Sequence, residues 1–379
     1  MLTLSQCPST SRTQLPSYSR GVVAAAGSGK TEFIVDSALA VASSESVLIT
    51  TFTESGTREI RRRVAGKVGR VPDNITIIPW FTFLIAHGAK PYQNPVIGIN
   101  KIAGLNFESL TPKQRGFPKK RETRKYYLDR SFRLYRDFLS EFVLHCDDSS
   151  GGAVMKRMAN VFSWVYFDEI QDISGRDFEL FERMLSSGIH VCMVGDPRQG
   201  TFSTTQSRTN RGMTRSRISI WLAKLEKRGL ITVDHLSHSY RCNPAICELG
   251  DSLYPQESYP GLSETESRNP LLTGHDGIFL IQEAQVAEYI DTYRPQLLVW
   301  NKAANDYGSA ARNMGEVKGL TFDRVLIQPT EPIRKYFRSG SDLTAEANAK
   351  LYVAVTRARF SVGLILDRAG SCEIQRWKP

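Results

Sequence analysis

No run of apolar residues in this chain of 379 approaches the roughly 18 needed to cross a bilayer. The first residues, MLTLSQCPSTSR, lack the apolar core of a signal peptide, so the expectation is an intracellular, cytoplasmic protein with no membrane partner. Cysteine is scarce: six residues, at positions 7, 146, 192, 242, 247 and 372, with no CxxC pair and no nearby histidine pattern. That spacing argues against a zinc or iron–sulfur site and places Cys242 and Cys247 on a helix or in a core. Short internal repeats are missing too. Negative charge is in deficit, 39 Asp and Glu against 49 Lys and Arg, which leaves a formal charge of +10. A basic balance of this size points to a polyanionic partner, nucleic acid first.

What is present is a globular composition in a chain longer than one hydrophobic core usually organises, so two domains are expected. Residues 20–42, RGVVAAAGSGKTEFIVDSALAVA, read as an apolar strand, a glycine loop and a helix. Strand-like runs follow at 46–52, 75–79, 164–168 and 190–195, and again at 231–236, 277–281, 296–300, 324–328 and 361–366. Strands alternating with helices predict an α/β fold of parallel sheets flanked by helices, with ligands at the carboxyl ends of the strands. The expected division is a first domain over 1–205, interrupted by a small basic insertion at about 88–160, and a second over 206–379. Within the insertion, residues 113–136 hold ten Lys or Arg against Glu122 and Asp129, with Tyr126, Tyr127, Phe132 and Tyr135 interleaved. Two readings stand there: a solvated basic helix, or a nucleic-acid contact.

Gly27-Ser28-Gly29-Lys30-Thr31 matches the end of the phosphate-binding loop GxxxxGK[ST], whose first position is Ala24 here. Successive backbone N–H groups must point into one concavity, and side chains would block the phosphates. Lys30 would neutralise the β and γ phosphates of ATP, and Thr31 would ligate Mg²⁺. The apolar strand VYF ends in Asp168-Glu169. One carboxylate there can hold Mg²⁺, and the other can activate the attacking water.

In order along the chain, these motifs resemble those of superfamily 1 helicases of the UvrD/Rep type. Asp168-Glu169-Ile170-Gln171-Asp172 resembles that family's DExQD segment. TFTESGTREIRRRV (51–64) and PWFTFL (79–84) resemble its strand-contacting segments, and VGDPRQGTFS (194–203) its glutamine-and-aromatic segment. HSYRCNPAI (238–246), VKGLTFDRVLI (317–327) and LYVAVTRAR (351–359) are similar to the three motifs of its second motor domain. The resemblance implies two RecA-like P-loop NTPase motor domains, ATP with Mg²⁺, and movement along single-stranded or partly duplex DNA, 3′ to 5′. It implies that Gln199 reads the γ phosphate and that Arg241 and Arg357 reach it from the other domain. Tyr240 and Gly319 would contact the nucleotide, and Phe52, Thr53, Thr82, Phe83 and Phe202 would contact nucleic acid. For Phe52 and Phe83, core packing is the competing reading; for Tyr240 it is a buried tyrosine.

The sequence departs from the family where Gly315 and Thr321 replace a histidine and a glutamate, and where QLPSYSR matches the adenine-reading segment poorly, leaving Gln14 as its glutamine. The family's second insertion is nearly absent. Compact members of this kind resemble the helicase component of two-protein defence systems such as Gabija, which implies a nuclease partner. Two other readings remain: a DNA-stimulated ATPase that senses rather than unwinds, and, from RSRISIWLAKLEKRGLITV (215–233), a winged-helix DNA-binding regulator.

Overall fold

The computed structural model describes residues 19–379 apart from 99–100, 109–112, 115, 117, 202–208, 302–305, 369 and 371–373. The chain forms, in order, β1 (Arg20–Ala24), β2 (Val47–Thr50), β3 (Ile75–Ile77), β4 (Gly104–Asn106), β5 (Arg133–Tyr135), β6 (Trp164–Asp168), β7 (His190–Gly195) and β8 (Thr232–Leu236). There follow β9 (His238–Ser239), β10 (Glu266–Ser267), β11 (Gly277–Ile281), β12 (Gln296–Val299), β13 (Arg312–Asn313), β14 (Phe322–Ile327), β15 (Ala358–Ile365) and β16 (Gln375–Arg376). Two six-stranded sheets dominate, ordered β3-β2-β6-β7-β1-β8 and β13-β12-β14-β15-β11-β16. Every pairing within them is parallel.

Parallel strands need helical crossovers, which cover both sheet faces and demand apolar residues on both sides of each strand. In the first sheet, Val23, Leu48, Val165, Phe167 and Met193 enter one buried cluster. Their neighbours Val22, Ile49, Tyr166 and Val194 enter a second on the opposite face. The helix Lys30–Leu39 buries Ile34, Val35 and Ala38 on that second face. Cys247 lies on the helix Pro244–Ser252, and both it and Cys242 are buried, as expected.

The expected boundary at 205/206 gives way. β8, read from sequence as the start of the second domain, pairs along its whole length with β1, from Arg20↔Thr232 to Ala24↔Leu236. The helix before it, Ile218–Lys227, buries Trp221 edge-on against Phe178, with the ring centroids 5.0 Å apart. The first half therefore runs through Leu236. The winged-helix reading falls for the same reason, since its strand is the edge strand of this sheet and its helix packs into the first half's core.

The insertion between β3 and β6 is fused to the first core. Phe83 packs on Phe162, and Tyr127 on Phe142. Its basic run is not one solvated helix but a five-residue helix, Thr123–Tyr127, leading to β5. Tyr127 and Tyr135 turn inward, while Lys119, Lys120, Arg121, Arg124, Lys125, Arg130 and Arg133 stay exposed. No helix among the described residues is long and apolar enough to cross a membrane.

Candidate active site

The carboxyl ends of β1, β6 and β7 meet beside the end of the helix Ala345–Val355 from the second half. At β1, the loop turns on Gly27 and Gly29, with φ of +74° and +80°. A side chain is excluded at Gly27 for a second reason: a Cβ there would lie 2.7 Å from Cβ of Arg241 and 2.8 Å from Oγ of Ser239. Tyr240 donates its backbone N–H to Gly27 O at 3.0 Å. The phosphate loop is thus built against the second half. Ser28 Oγ is buried with no hydrogen-bond partner among the described residues.

Lys30 opens the helix behind the loop, and Thr31 Oγ1 donates to Asp168 Oδ2 at 3.1 Å. Burial, then the charge of Glu169, push the Asp168 carboxyl up to about 7, against the pull of Lys30. Glu169 goes the other way, to about 2: burial alone would raise it, but Lys318, Lys30, a Gln171 hydrogen bond and Arg357 outweigh that. Its backbone is left-handed, φ +65°, a conformation that costs a non-glycine residue roughly 1–3 kcal/mol and is typical of functional positions.

From β7, the turn after Gly195 places Asp196 and Gln199. Gln199 Nε2 donates to Asp196 Oδ2 at 2.7 Å, and Arg357 Nη2 donates to Gln199 Oε1 at 3.3 Å, so the two halves touch through these residues. Arg357 is almost fully buried, held by the carbonyls of Val353 and Leu320. Arg241 donates to Thr356 O at 3.0 Å. Burial and the neighbouring Arg241 lower the Arg357 guanidinium to about 10, and burial also lowers that of Arg241. Two guanidiniums held near one another, Arg357 buried and Arg241 partly so, favour an anion nearby.

Four residues that the sequence reading quoted within motifs without giving them a role also meet here. Lys318 crosses between halves to Asp172 at 2.7 Å and Glu169 at 3.5 Å. Gln171 donates to Glu169 and, through Oε1, accepts the backbone N–H of Asp196 at 3.1 Å. Tyr352 and Asp196 join the halves again, through a 3.1 Å bond from the phenol to the carboxylate. Tyr352 sits in the apolar run LYVAV, which by pattern alone reads as core.

Among the nucleotide-side residues, Tyr240 is 66% exposed, so it is not a buried tyrosine. Gly319 is exposed with φ +85°. The nucleic-acid residues fare differently. Phe83 is 0% exposed, stacked on Trp80 and His87, and Phe52 is 8% exposed against Phe167 and Phe81. Phe83 therefore offers no face to a base, and Phe52 only an edge. The signal was present: Trp80, Phe83 and Leu84 have the i, i+3, i+4 spacing of a core stripe. Phe81 and Thr82 lie off that stripe, Phe81 half-buried and Thr82 exposed. Phe81 meets the 60% exposed Phe107 of the insertion at 6.3 Å, edge to face. Thr53 is exposed and caps the helix Glu54–Val68 through a 3.0 Å bond from Gly56 N. Phe202 and Gln14 lie outside the described residues.

A triphosphate with Mg²⁺ fits this donor set: a glycine cradle, an unpartnered buried hydroxyl, a lysine at a helix start, and a hydroxyl–carboxylate pair supplying hard oxygen ligands. In overall arrangement the chain is similar to the Arterivirus nonstructural protein 10 helicase, at 17% identity and a TM-score of 0.47, covering 92% of this chain and 59% of that one. It is similar to the same helicase solved in complex with DNA, at 16% identity and a TM-score of 0.47, over 92% of this chain and 60% of that one. The chain thus spans about three fifths of the length of these structures. No curated protein matches its sequence. Residues 10–204, from ahead of the phosphate loop to beyond Gln199, match the family described as AAA domain. That match takes in just over half of the sequence and implies nucleotide binding for the cleft, and on it the chain belongs to the AAA-domain family.

Proposed function

We propose that this protein hydrolyses ATP in the cleft between its halves and uses closure and release of that cleft to move along single-stranded DNA, as a superfamily 1 motor of the UvrD/Rep type. The observation that carries the reading is the convergence of both halves on one point: Gly27 against Arg241, and Gln199 bonded to Arg357.

Each residue then has a physical task. Lys30 is a compact charge for the β and γ phosphates. Thr31 and Asp168 would hold Mg²⁺, which supplies charge neutralisation at the phosphates. Glu169 takes the proton of the attacking water, and Gln199 reads the γ phosphate. Arg241 and Arg357 fork around the transferring phosphoryl group, a role worth roughly 10³ to 10⁵ in turnover for such arginines. Because they belong to the half without the phosphate loop, nucleotide draws the halves together and hydrolysis lets them part. Tyr240 lies open beside the loop, available to stack on the adenine. Direction, 3′ to 5′, and an associated nuclease of the Gabija kind rest on motif resemblance.

A second reading, a DNA-stimulated ATPase that reports a strand without separating duplexes, is favoured by one observation. Between the helix Pro244–Ser252 and β11 lies only the two-residue strand β10, with no body in the place of the family's second insertion. Hydrolysis measured without nucleic acid and with single-stranded DNA, duplex DNA or RNA at fixed salt tests the main reading. Stimulation by single-stranded DNA is expected, and a chain that hydrolyses no nucleotide sinks the reading. A strand-displacement assay alongside separates motor from sensor.

A further inference from the structure

The loop Gly195–Gln199 is gripped by the second half at several places, among them Tyr254, whose hydroxyl donates to the Arg198 carbonyl at 3.0 Å, and Asp251, which pairs with Arg198 at 3.2 Å; the function above uses only the Arg357–Gln199 contact. Besides the Arg357–Gln199 contact, the phenol of Tyr352 donates to Asp196 Oδ2 at 3.1 Å. The same phenol oxygen accepts the backbone N–H of Ala26, in the phosphate loop, at 3.3 Å. Tyr352 is buried, its ring edge-on to Tyr254 at 5.6 Å.

Asp196 is the hub of a wider set. Its Oδ2 also accepts Gln199 Nε2 at 2.7 Å, and that bond fixes the amide with Oε1 turned to Arg357. Its Oδ1 accepts the N–H of Arg198 at 3.1 Å. Its own N–H reaches Gln171, whose amide nitrogen holds Glu169. Asp196 thus links, through its carboxylate, the group that reads the γ phosphate and, by way of Tyr352, the phosphate loop, and, through its backbone N–H and Gln171, the group that activates water.

We propose that Tyr352 is a positioning residue for hydrolysis: its hydroxyl, carried by the second half, orients Asp196 and through it Gln199, so that the cleft is competent only when the halves are in register. A tyrosine placed for packing alone would have no need of a hydroxyl spanning two segments of the other half. A low-dielectric site makes such a bond to a carboxylate strong, and its loss leaves a buried charge with one donor fewer. The inference rests on the ATP-hydrolysis reading of the same cleft.

The test is a double-mutant cycle on the full chain, with Tyr352→Phe, Gln199→Ala and both together. Turnover is measured with and without single-stranded DNA, and affinity with a fluorescent non-hydrolysable ATP analogue. Tyr352→Phe keeps the ring and removes only the hydroxyl. It is expected to lower kcat about tenfold, the order of one hydrogen bond to a charged group, with analogue affinity changed less than about twofold. In the Gln199→Ala background the same change is expected to cost nothing further. Asp196→Asn, which weakens the other end of the bond, is expected to give the same split between kcat and affinity. Full turnover in Tyr352→Phe overturns the inference, as does an equal loss with or without Gln199, or a fall in affinity matching the fall in kcat. A wild-type chain with no hydrolysis overturns instead the functional reading, and the inference with it.

Discussion

The two sheets of this molecule have the same order. Numbered within each sheet, the strands run 3-2-4-5-1-6 in both, all parallel. The chemistry differs at two of the corresponding strand ends. The first strand of the first half ends in a glycine loop and Lys30; that of the second, β11, ends in Gln282-Glu283 with no glycine. The fourth strand ends in Asp168-Glu169 in one half and in Ile327-Gln328 in the other. What the second half contributes comes from outside its strand ends: Arg241, from the segment leaving the first half, and Arg357, just past a helix. Shared topology gives each half a platform, and the loops alone decide which platform carries a nucleotide.

The largest effect that sharpens this contrast is at Lys30. Lys30→Ala is expected to abolish hydrolysis, more than 100-fold by the scale of lost phosphate charge, with the folded state kept. Gln282→Ala, at the matching strand end of the other half, is expected to leave turnover at the wild-type level. Steady-state hydrolysis of both variants checks the pair, and a comparable loss in the second would break the asymmetry.

Next comes the arginine reaching across. Arg357→Ala is expected to lower single-turnover hydrolysis by roughly 10³ while analogue affinity falls far less, since the guanidinium acts on the transition state. An affinity loss of equal size would mean that the second half binds nucleotide rather than completing the reaction.

Within the first half, Phe83 is buried while Phe107 is exposed, and the two are expected to behave differently. Phe83→Ala is expected to cost about 3–5 kcal/mol of stability, as a buried aromatic does. Phe107→Ala is expected to leave stability unchanged and to weaken single-strand affinity by about 1–3 kcal/mol, the worth of one stacked base, with hydrolysis in the absence of DNA kept. Chemical denaturation and anisotropy titration measure the two.

The smallest effect concerns acid. His275, stacked between Phe279 and Tyr293, has its imidazole pushed down to about 4, by burial first and then by Arg324. The unfolded chain binds this proton near pH 6.5 and the folded one does not, so the contribution is present above that pH and lost as pH falls towards 4. His275→Gln is expected to show a shallower drop in Tm over that interval than the wild type.

Much of the cleft was legible because its groups sit where a buried strand stops. An apolar run ending in Asp168-Glu169 identifies both the strand and the carboxylates, and glycines before Lys30-Thr31 identify the loop. Sheet membership was not legible for β8: its residues say strand, but its partner Arg20–Ala24 is some 200 residues away, and no local pattern encodes that choice. Tyr352 escaped notice because a buried tyrosine in an apolar helix looks like core until the carboxylate opposite its hydroxyl is seen. The aromatics were misassigned where motif position was preferred to helical periodicity, as at Phe83. Among the described residues of the basic run, the lysines and all the arginines but Arg136 face outward, while Tyr127 and Tyr135 are buried.

Among the described residues, the chain passes from one half to the other once, where β8 ends at Leu236 and β9 begins at His238. A few residues further on, Tyr240 is bonded to the phosphate loop at Gly27. In the proposed motor, the two halves would therefore pivot beside the phosphate loop. Displacement in a rotation grows with distance from the pivot, so small shifts at Arg241 translate into large ones at the far edges of the two sheets. Under the proposed function, a phosphate gained or lost beside the pivot would be read out as a large displacement at the outer surfaces, at the expense of force there.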